Sequence, residues 1–548
     1  MHVTTDDLAL IPLGGTGEIG MNLNVYRCDG ALLAIDCGIG FGGADNPEAE
    51  IMVPDATWLS ERRDRLVGLV ITHAHEDHLG AVAALWPLLR CPVYATPFAT
   101  AVLRRKLGEA GLRDQVKLHT VPTGGSFELN PFRLQFIRVA HSVPEAQALV
   151  LRTRHGTVLH TGDWKIDPDP VLGPPTDEAA FEALGREGVL AMVCDSTNAM
   201  VPGHSGSEAD VGRELAVVFG ELRGRIAVTC FATNVARVES IARAAAANDR
   251  QVALFGRSLR NVDAAARDTG YLSDIAPFLS EDDAGYLPDD ALVIVCTGSQ
   301  GEPRSALSKI AADTHPNISL GEGDTVIYSS RQIPGNERAI ARVQDQLRRA
   351  GARVITADER KVHASGHPAQ EELRRLYELV KPRHAVPVHG EWRHMQRHAE
   401  LAREVGAEAH VIEDGDVLRL SGNRPEVVEG VPVGRMALDG DRLLPLEGGV
   451  LAARRRMLFN GVVVASLAVD AEGRVVGTPQ VSAPGLFEQL DETPAQIASE
   501  VSRALVDLPS AVRREEDKLR DAVRTALRRA LGRRMRKRPM VDVHLLRV

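Results

Sequence analysis

The segment richest in potential metal ligands is residues 72–80, THAHEDHLG. Within six residues it holds three histidines and an aspartate, namely His73, His75, Asp77 and His78. Two histidines at positions i and i+2 can face one cation, while the aspartate and the third histidine turn toward a second. Neutral imidazoles and carboxylates suit Zn²⁺, or Mn²⁺ where oxygen ligands dominate. The spacing predicts a metal centre, and a polar loop rich in histidine is the alternative.

The elements around this segment place it on a loop between a strand and a helix. Residues 69–71 form an apolar run typical of a buried strand, and residues 79–85 have the composition of a helix start. Two later apolar runs also end in a possible ligand, His141 in one case and Asp163 in the other. Because side chains at strand ends can converge on a rigid scaffold, we expect both residues to join the centre.

Three nearby features are expected to have supporting or structural roles rather than to bind metal directly. His160 lies inside a predicted strand, and we expect it to support a ligand from behind or to belong to the core. Asp36 ends another apolar run and is expected to have a supporting or structural role. Residues 14–20 superficially resemble a dinucleotide-binding glycine loop, but the spacing is wrong and strand-like alternation follows. They predict a tight turn near the metals.

Composition bounds the class of protein. At 548 residues the chain is too long for one core, and we expect about three domains. Its net charge of −10 argues against polyanion binding over the whole surface but allows a local basic channel. Six scattered cysteines without a CxxC pair indicate a reducing compartment. With no signal peptide and no apolar run long enough for a bilayer, we expect a cytoplasmic protein without membrane contact.

Further motifs follow along the chain. Residues 205–360 alternate strand and helix, as in a doubly wound domain. His363 and His367 then stand four residues apart around a Ser-Gly turn, and His389 ends one more strand. In the last hundred residues, the pattern of apolar positions predicts strands and two amphipathic helices. A basic run at residues 533–538 indicates a solvated face, with RNA contact as the alternative.

The order HAHEDH, His141, then TGD with Asp163 resembles the metallo-β-lactamase fold, a four-layer αββα sandwich. The segment CDSTNA around Asp195 resembles motif A of the β-CASP nucleases. Residues 361–367 (KVHASGH) and 387–391 (PVHGE) are similar to motifs B and C of the bacterial RNase J family. The resemblance implies an α/β metallo-β-lactamase sandwich with an inserted doubly wound β-CASP domain and a small α+β C-terminal domain. The expected bounds are 1–204 and 361–435 for the lactamase domain, 205–360 for the β-CASP domain, 436–452 for a linker and 453–548 for the C-terminal domain.

The resemblance also implies a role for each site residue. Two divalent ions per subunit are expected, Zn²⁺ first and Mn²⁺ as the alternative. One ion is held by His73, His75 and His141, the other by Asp77, His78 and His389, with Asp163 bridging. Asp77 can also accept the proton of the attacking water, His367 is the expected acid for the leaving oxygen, and Asp195 orients a ligand or His367. The residues expected to contact RNA are Phe231, Ala232, Thr233, His363, Ala364, Ser365, Gly366 and His367.

The function implied is that of an RNase J-like ribonuclease that acts 5′→3′ on 5′-monophosphorylated RNA and also cuts internally. Activated water would hydrolyse the phosphodiester, in rRNA processing and mRNA decay, by a homodimer or homotetramer with RNA-decay or ribosome-associated partners. The alternatives are a β-CASP endonuclease of the 3′-end-processing type, a small-molecule metallohydrolase and a non-catalytic RNA-binding scaffold. Residues 42–48 and 438–441 depart from the family pattern, which leaves a further structural cation such as Ca²⁺ open.

Overall fold

A computed structural model describes residues 7–43, 46–333, 335–422, 424–488 and 491–548. Within the loop 42–48, Ala44 and Asp45 lie outside the described residues. The chain divides into two compact units, Met1–Ala44 with Ile51–Leu443, and Asp45–Glu50 with Leu444–Val548. In the described part of the chain, no helix is long and apolar enough to cross a membrane.

The first 200 residues supply most of two mixed sheets. Their strands are β1 (Leu8–Gly14), β2 (Thr16–Gly17), β3 (Leu23–Cys28), β4 (Ala31–Ile35), β5 (Gly40–Phe41), β6 (Ile51–Pro54), β7 (Leu66–Val70), β8 (Val93–Ala95), β9 (Leu118–Thr120), β10 (Ser126–Leu129), β11 (Phe132–Arg138), β12 (Gln147–Thr153), β13 (Gly156–His160) and β14 (Ala191–Asp195). Their helices are α1 (Thr57–Ser60), α2 (Glu76–Leu79), α3 (Val82–Leu89), α4 (Pro97–Glu109) and α5 (Glu178–Glu187), with a short 3₁₀ helix at Arg63–Arg65.

The segment 205–360 forms a sheet of its own. Its strands are β15 (Ile226–Thr229), β16 (Gln251–Phe255), β17 (Leu292–Cys296), β18 (Thr325–Tyr328) and β19 (Arg353–Ile355). Its helices are α6 (Glu208–Glu221), α7 (Val235–Ala246), α8 (Arg257–Asp268), α9 (Glu281–Ala284), α10 (Ala306–Ala311) and α11 (Glu337–Arg349), with a 3₁₀ helix at Asp289–Ala291. All strand pairs in the order β16-β17-β15-β18-β19 are parallel. Ile226 and Ala227 pack into separate cores on opposite faces, so the insertion is doubly wound.

The chain then returns to the first two sheets. This part contains α12 (Gln370–Val380), β20 (His384–Val388), β21 (Gly390–Glu391), α13 (Trp392–Glu404), β22 (Glu408–Ala409), β23 (Asp416–Arg419), β24 (Glu426–Gly430) and β25 (Arg435–Asp439). The two sheets have the orders β24-β23-β1-β3-β4-β7-β8-β9 and β10-β11-β12-β13-β14-β20-β22. The insertion leaves the sheet after β14 and returns as its parallel neighbour β20, which sets Asp195 opposite Val388.

An apolar core lies between these two sheets. It combines Leu10 and Val70 from one sheet with Phe136 and Val193 from the other. Ile11, one position after Leu10, faces the outer core with the helices. Because β1 is covered on both faces, its sequence is continuously apolar rather than alternating. This is the four-layer helix-sheet-sheet-helix arrangement that positions the loops of the site.

One helix differs from its prediction. Residues 79–85 were predicted as one helix start, but α2 ends at Leu79 and α3 begins at Val82. The physical reason is that the Ala81 amide donates to the Cys37 carbonyl oxygen (2.9 Å), outside the helix. The break separates the short helix that carries Asp77 and His78 from the longer helix behind it.

The second unit has its own core. After β26 (Arg442–Pro445), which crosses the boundary between the units, it contains α14 (Gly449–Asn460), β27 (Val462–Val469), β28 (Val475–Ser482), α15 (Thr493–Val506), α16 (Ser510–Arg514), α17 (Glu516–Arg534) and β29 (Met540–Arg547). Alternate residues of β27 pack against α15 and α17. Residues 436–452, predicted as a linker, hold most of β25, all of β26 and the start of α14, and the domain bounds stay predictions.

Candidate active site

The seven predicted ligands lie at the carboxyl ends of strands from both central sheets. His73 and His75 follow β7, His141 follows β11, Asp163 follows β13 and His389 follows β20. Asp77 and His78 belong to the short helix α2 directly after β7. Because these strand ends face each other across the sandwich, residues more than 300 positions apart meet in one site. Together they form the set His73, His75, Asp77, His78, His141, Asp163 and His389.

Three histidines and one aspartate form the first group. His75 Nδ1 lies 3.2 Å from His73 Nε2 and 3.0 Å from His141 Nε2. Asp163 Oδ2 lies 3.7 Å from His73 Nε2 and 3.6 Å from His141 Nε2. One ring nitrogen of each histidine and one carboxylate oxygen therefore surround a common point.

The second group shares Asp163 with the first. His78 Nε2 lies 3.2 Å from Asp163 Oδ2 and 3.6 Å from Asp77 Oδ2. His389 Nε2 lies 3.2 Å from Asp77 Oδ2, and its Nδ1 lies 3.4 Å from Asp163 Oδ1. Asp163 is thus the one side chain that faces both groups.

These residues fit divalent cations. Donor atoms bound at about 2.0–2.2 Å around a tetrahedral ion lie roughly 3.3–3.6 Å apart, close to the separations found here. Asp163 Oδ1 is buried and has no hydrogen-bond partner among the described residues, and the nearest ring nitrogen, His389 Nδ1, lies 3.4 Å away. A buried carboxylate oxygen in that state is costly unless a positive charge faces it. The donor set supports binding of divalent metal.

The protonation of the histidines differs between the groups. Burial lowers the pKa of His73 and His141 well below the ordinary value, and lowers that of His75 to about 4. These rings stay neutral and keep a lone pair for a cation. Burial also opposes the charged form of His78 and His389, yet nearby carboxylates, first Asp163, raise the pKa of His78 well above its ordinary value and that of His389 to about 10. The carboxylates of the second group therefore favour a positive charge beside them, which a bound divalent cation can supply in place of the ring protons.

Asp36 lies behind this group. Its Oδ2 lies 2.7 Å from His78 Nδ1, and its Oδ1 accepts a hydrogen bond from the Thr72 amide (2.8 Å). Asn22 Nδ2 donates to the Asp77 carbonyl oxygen (3.1 Å). These contacts fix the ring orientation of His78 and the backbone of α2, the support that metal-binding histidines usually have. Asp36 is placed in the supporting position predicted for it.

His160 lies in the core beside the site. It is buried, and its Nδ1 lies 3.1 Å from the Tyr26 hydroxyl. Burial lowers its pKa to about 4. His160 is therefore a neutral core histidine behind the carboxylates. Membership of the core is one of the two roles predicted for it.

Asp195 lies next to two histidines, His367 and His389. Its Oδ2 lies 2.8 Å from His367 Nδ1, and its Oδ1 accepts hydrogen bonds from the Thr197 amide (2.8 Å) and hydroxyl (2.7 Å). The same hydroxyl lies 2.9 Å from His389 Nδ1. Burial lowers the pKa of His367, but Asp195 and then Asp163 raise it, with a net rise. The carboxylates thus favour the protonated form of His367, whose ring lies beside both ligand groups.

The turn before His367 packs directly on a predicted ligand. The Gly366 carbonyl oxygen lies 2.6 Å from His141 Nδ1. A Cβ atom on Gly366 would lie 2.7 Å from that ring, a distance real Cβ atoms do not adopt. Glycine is required here because the backbone approaches the imidazole so closely.

The other residues of this turn have distinct environments. Ser365 Oγ accepts a hydrogen bond from Asn198 Nδ2 (2.8 Å), and Ala364 packs in the core of the insertion. His363 Nδ1 is buried without a hydrogen-bond partner in the described part of the chain. Burial, and after it the charge of Arg237, lowers the pKa of His363 well below its ordinary value. His363 is a neutral ring with one free nitrogen.

The segment Phe231, Ala232 and Thr233 lies at the start of α7 rather than in either ligand group. Phe231 is 36% exposed, Thr233 is buried, and Ala232 packs against the core of the insertion. Arg237 in α7 donates to the Ser329 carbonyl oxygen (2.7 Å) and to that of Val362 (3.2 Å). These contacts place the first turn of α7 beside Ser329 and beside the segment that leads to His363.

Two contacting residues were missed from the sequence. Arg331, after β18, donates to Asn198 Oδ1, and Asn198 Nδ2 donates to the His367 carbonyl oxygen (3.0 Å). A guanidinium from the insertion is thus linked through Asn198 to the turn that carries His367. The only sequence signal is an arginine after a strand end, which is too common to single out.

Glu372 was also missed. This buried carboxylate accepts hydrogen bonds from the Ser205 amide (2.9 Å), the Ser205 hydroxyl (2.6 Å), the Ala369 amide (2.8 Å) and the Ile166 amide (3.3 Å). It joins the loop after Asp163, the entry to the insertion and the first turn of α12. Its sequence pattern resembles an ordinary exposed helix glutamate, so no local signal identifies it.

Four family models match successive segments of the chain. They are the β-lactamase superfamily domain at residues 33–207, the ribonuclease J β-CASP domain at 223–347, the Zn-dependent metallo-hydrolase RNA specificity domain at 351–412 and the ribonuclease J C-terminal domain at 449–548. The predicted fold class is confirmed, a lactamase-fold domain with an inserted β-CASP domain and a C-terminal domain.

Curated relatives match over nearly the whole length. A ribonuclease J of Sinorhizobium meliloti is 42% identical, covering 99% of this chain and 98% of that protein. A ribonuclease J of Mycolicibacterium smegmatis is 38% identical, covering 97% and 96%, and ribonuclease J2 of Bacillus subtilis is 34% identical, covering 92% and 91%. A solved structure of a protein of unknown function from Enterococcus faecalis has a TM-score of 0.53 at 16% identity, covering 75% of this chain and all of that one. That likeness shows the fold alone.

Proposed function

Since this chain belongs to the ribonuclease J family and is a ribonuclease with a metallo-β-lactamase fold, we propose that it degrades RNA from the 5′ end. The proposed substrate is single-stranded RNA with a 5′-monophosphate, and internal cleavage is a second activity of the same site. The observation that supports phosphodiester hydrolysis is the position of the His367–Asp195 pair beside both ligand groups.

The proposed cofactor is two divalent ions per subunit, Zn²⁺ or Mn²⁺. His73, His75 and His141 would hold one, Asp77, His78 and His389 the other, and Asp163 both. When bound, such ions supply an activated water and stabilise negative charge on the phosphate. The residues behind them, among them Asp36 and Thr197, keep the rings in place before substrate binds.

The remaining proton chemistry is assigned to His367. Its Nδ1 faces Asp195, so its Nε2 is the nitrogen left to donate a proton to the leaving 3′ oxygen. The carboxylate of Asp195 raises the pKa of the ring and sets its orientation. A general acid of this kind contributes on the order of 10²- to 10⁴-fold to the rate. Asp77, which faces both His78 and His389, is the proposed acceptor for the proton of the attacking water.

The 5′ end is assigned to the region of the active site that Arg331 of the insertion and the turn of residues 363–367 form. Arg331 supplies a positive charge at the turn of residues 363–367, and His363 offers an unpaired ring nitrogen. The Ser365 hydroxyl, which accepts a hydrogen bond from Asn198 Nδ2, keeps its own proton to donate to phosphate. This arrangement supports recognition of a terminal phosphate together with the nucleotides that follow.

The biological setting is proposed from the family. We place the protein in the cytoplasm, in rRNA processing and mRNA decay, as a homodimer or homotetramer with RNA-decay or ribosome-associated partners. The six cysteines are unpaired and buried, which fits a reducing compartment. Light scattering on the full chain measures the assembly directly.

Two RNAs of one sequence test the proposed polarity. One carries a 5′-monophosphate and the other a 5′-triphosphate, and both are labelled at the 3′ end. We expect release of mononucleotides that prefers the monophosphate, with the label retained to the last product. Discrete internal cuts that ignore the 5′ end would contradict the exonuclease and favour the endonuclease of the 3′-end-processing type. No cleavage in Zn²⁺ or Mn²⁺ would favour a non-catalytic scaffold.

A further inference from the structure

A second group of possible metal ligands lies at the edge of the sheet that contains β20, outside the active site. It consists of His384, Glu408 and His410. His384 is the first residue of β20, and His389 follows the last. Five residues of extended chain span about 16 Å, so this group is separate from the catalytic ligands.

The backbone fixes the three residues relative to each other. β20 and β22 are parallel, with His384 opposite Glu408. The His410 amide donates to the Ala385 carbonyl oxygen (2.9 Å), which extends the pairing by one step. Residues two positions apart on an extended strand face the same side of the sheet. Glu408 and His410 therefore both project toward the side chain of His384.

The distances match those around a small divalent ion. His384 Nδ1 lies 3.2 Å from His410 Nε2 and 3.5 Å from Glu408 Oε2. Nitrogen and oxygen donors around tetrahedral Zn²⁺ lie about 3.3–3.4 Å apart. A hydrogen bond between the two imidazoles is the alternative at this separation, and it would leave the carboxylate without a role.

The protonation state of the two histidines and the access from solvent also suit a cation. Burial lowers the pKa of His384 to about 4 and lowers that of His410 as well, so both rings are neutral at physiological pH. Neutral imidazole is the form that binds metal. The Glu408 side chain is 58% exposed, which opens the group to solvent. Arg383, Arg403 and Arg424 lie close enough to lower the pKa of one or both rings, and their charge reduces the affinity for a cation.

We propose that His384, Glu408 and His410 bind one divalent transition-metal ion of the Zn²⁺ class, with solvent in the remaining position. Bound there, the ion joins β22, the edge strand, to β20, the strand that leads to His389. The site is structural rather than catalytic because it lies at the end of β20 opposite to the end that leads to His389. It stabilises the folded sheet by binding the native state and not the unfolded chain.

The test counts bound zinc in the full-length protein. Wild type and the variants Glu408→Gln, His410→Asn and His544→Asn are dialysed to equilibrium against the same free Zn²⁺, and the zinc per chain is measured by mass spectrometry. His544 is a matched control, an exposed histidine in a pair with one carboxylate, Asp542 (3.7 Å). We expect Glu408→Gln and His410→Asn each to bind one zinc fewer than wild type, with unchanged RNA cleavage, and His544→Asn to keep the wild-type count.

A thermal melt supplies the second readout. Added Zn²⁺ should raise the unfolding midpoint of wild type more than that of either ligand variant, while the midpoints without zinc agree. Equal zinc counts and equal zinc-dependent shifts in wild type and both variants would overturn the proposal. Because only differences between proteins are used, the result does not depend on how many ions the active site binds.

Discussion

Asp195 Oδ2 lies 2.8 Å from His367 Nδ1, although 172 positions separate the two residues in the chain. The pair exists because the insertion leaves the central sheet after β14 and returns beside it. Asp195 ends β14, and the turn of residues 363–367 is held against it by Asn198. The topology of an inserted domain thereby places a histidine with a raised pKa next to the two ligand groups.

The first prediction concerns the leaving group. His367→Ala should lower kcat by about 10²- to 10⁴-fold, because the departing 3′ oxygen loses its proton donor. The test compares an ordinary RNA with one whose scissile linkage carries a 3′ sulfur. A thiolate leaves without a proton, so the variant should cleave the sulfur substrate at close to the wild-type rate. Metal content should be unchanged.

Asp195→Asn is the companion variant. It should show the same selective rescue by the sulfur substrate, since Asp195 acts through His367. Equal losses on both substrates would assign His367 to substrate positioning instead.

The second prediction concerns the glycine beside a predicted ligand. Gly366→Ala should displace the His141 ring, because the new Cβ would lie 2.7 Å from it. Misplacement by about 1 Å can cost on the order of 100-fold in rate. We expect a loss of that size in kcat together with weaker metal retention. Gly532→Ala, in α17 where nothing lies within 4 Å of the new Cβ, is the control and should retain full activity.

The third prediction concerns recognition of the 5′ end. Arg331→Ala should raise KM for 5′-monophosphorylated RNA by about 10-fold or more, since a hydrogen bond to a charged group contributes about 1.5–3 kcal/mol. The KM of a 5′-hydroxyl RNA of the same sequence should change less. Arg349→Ala, an exposed arginine at the end of α11, serves as control. An equal rise for both RNAs would place Arg331 on the RNA path but not at its 5′ end.

The proximity of the seven predicted ligands has a physical reason that the sequence contains. His73, His75, Asp77 and His78 are local to one loop, and each of the other three predicted ligands follows an apolar strand. The doubly wound insertion follows from the alternation of strand and helix. The break between α2 and α3 was missed because it depends on the Cys37 carbonyl, which is distant in sequence.

The contacts that hold the insertion against the returning chain cannot be predicted from such local patterns. Arg331 and Asn198 are 133 positions apart, and Glu372 contacts Ser205 across 167 positions. Neither pair has a local pattern, because each arises only when the insertion docks on the returning chain. Resemblance to a family supplies the roles of motif residues but not these connections.

The fourth prediction concerns stability. Glu372→Gln should lower the free energy of unfolding by about 1–3 kcal/mol, because an amide NH₂ would face the backbone N–H groups that the carboxylate now accepts. The unfolding midpoint should fall, and activity with it, as the turn at residues 363–367 loosens. Glu371→Gln changes the exposed neighbour and should leave the midpoint unchanged. A midpoint for Glu372→Gln equal to that of wild type would contradict this role.

The most direct test of a shared metal centre is Asp163→Asn. Asp163 is the side chain that faces both ligand groups, so the substitution should reduce bound metal at both positions and abolish RNA cleavage while the circular dichroism spectrum stays native. The measurement is metal per chain alongside hydrolysis of 5′-monophosphorylated RNA on the same preparation. Undiminished metal content together with wild-type cleavage would contradict the account.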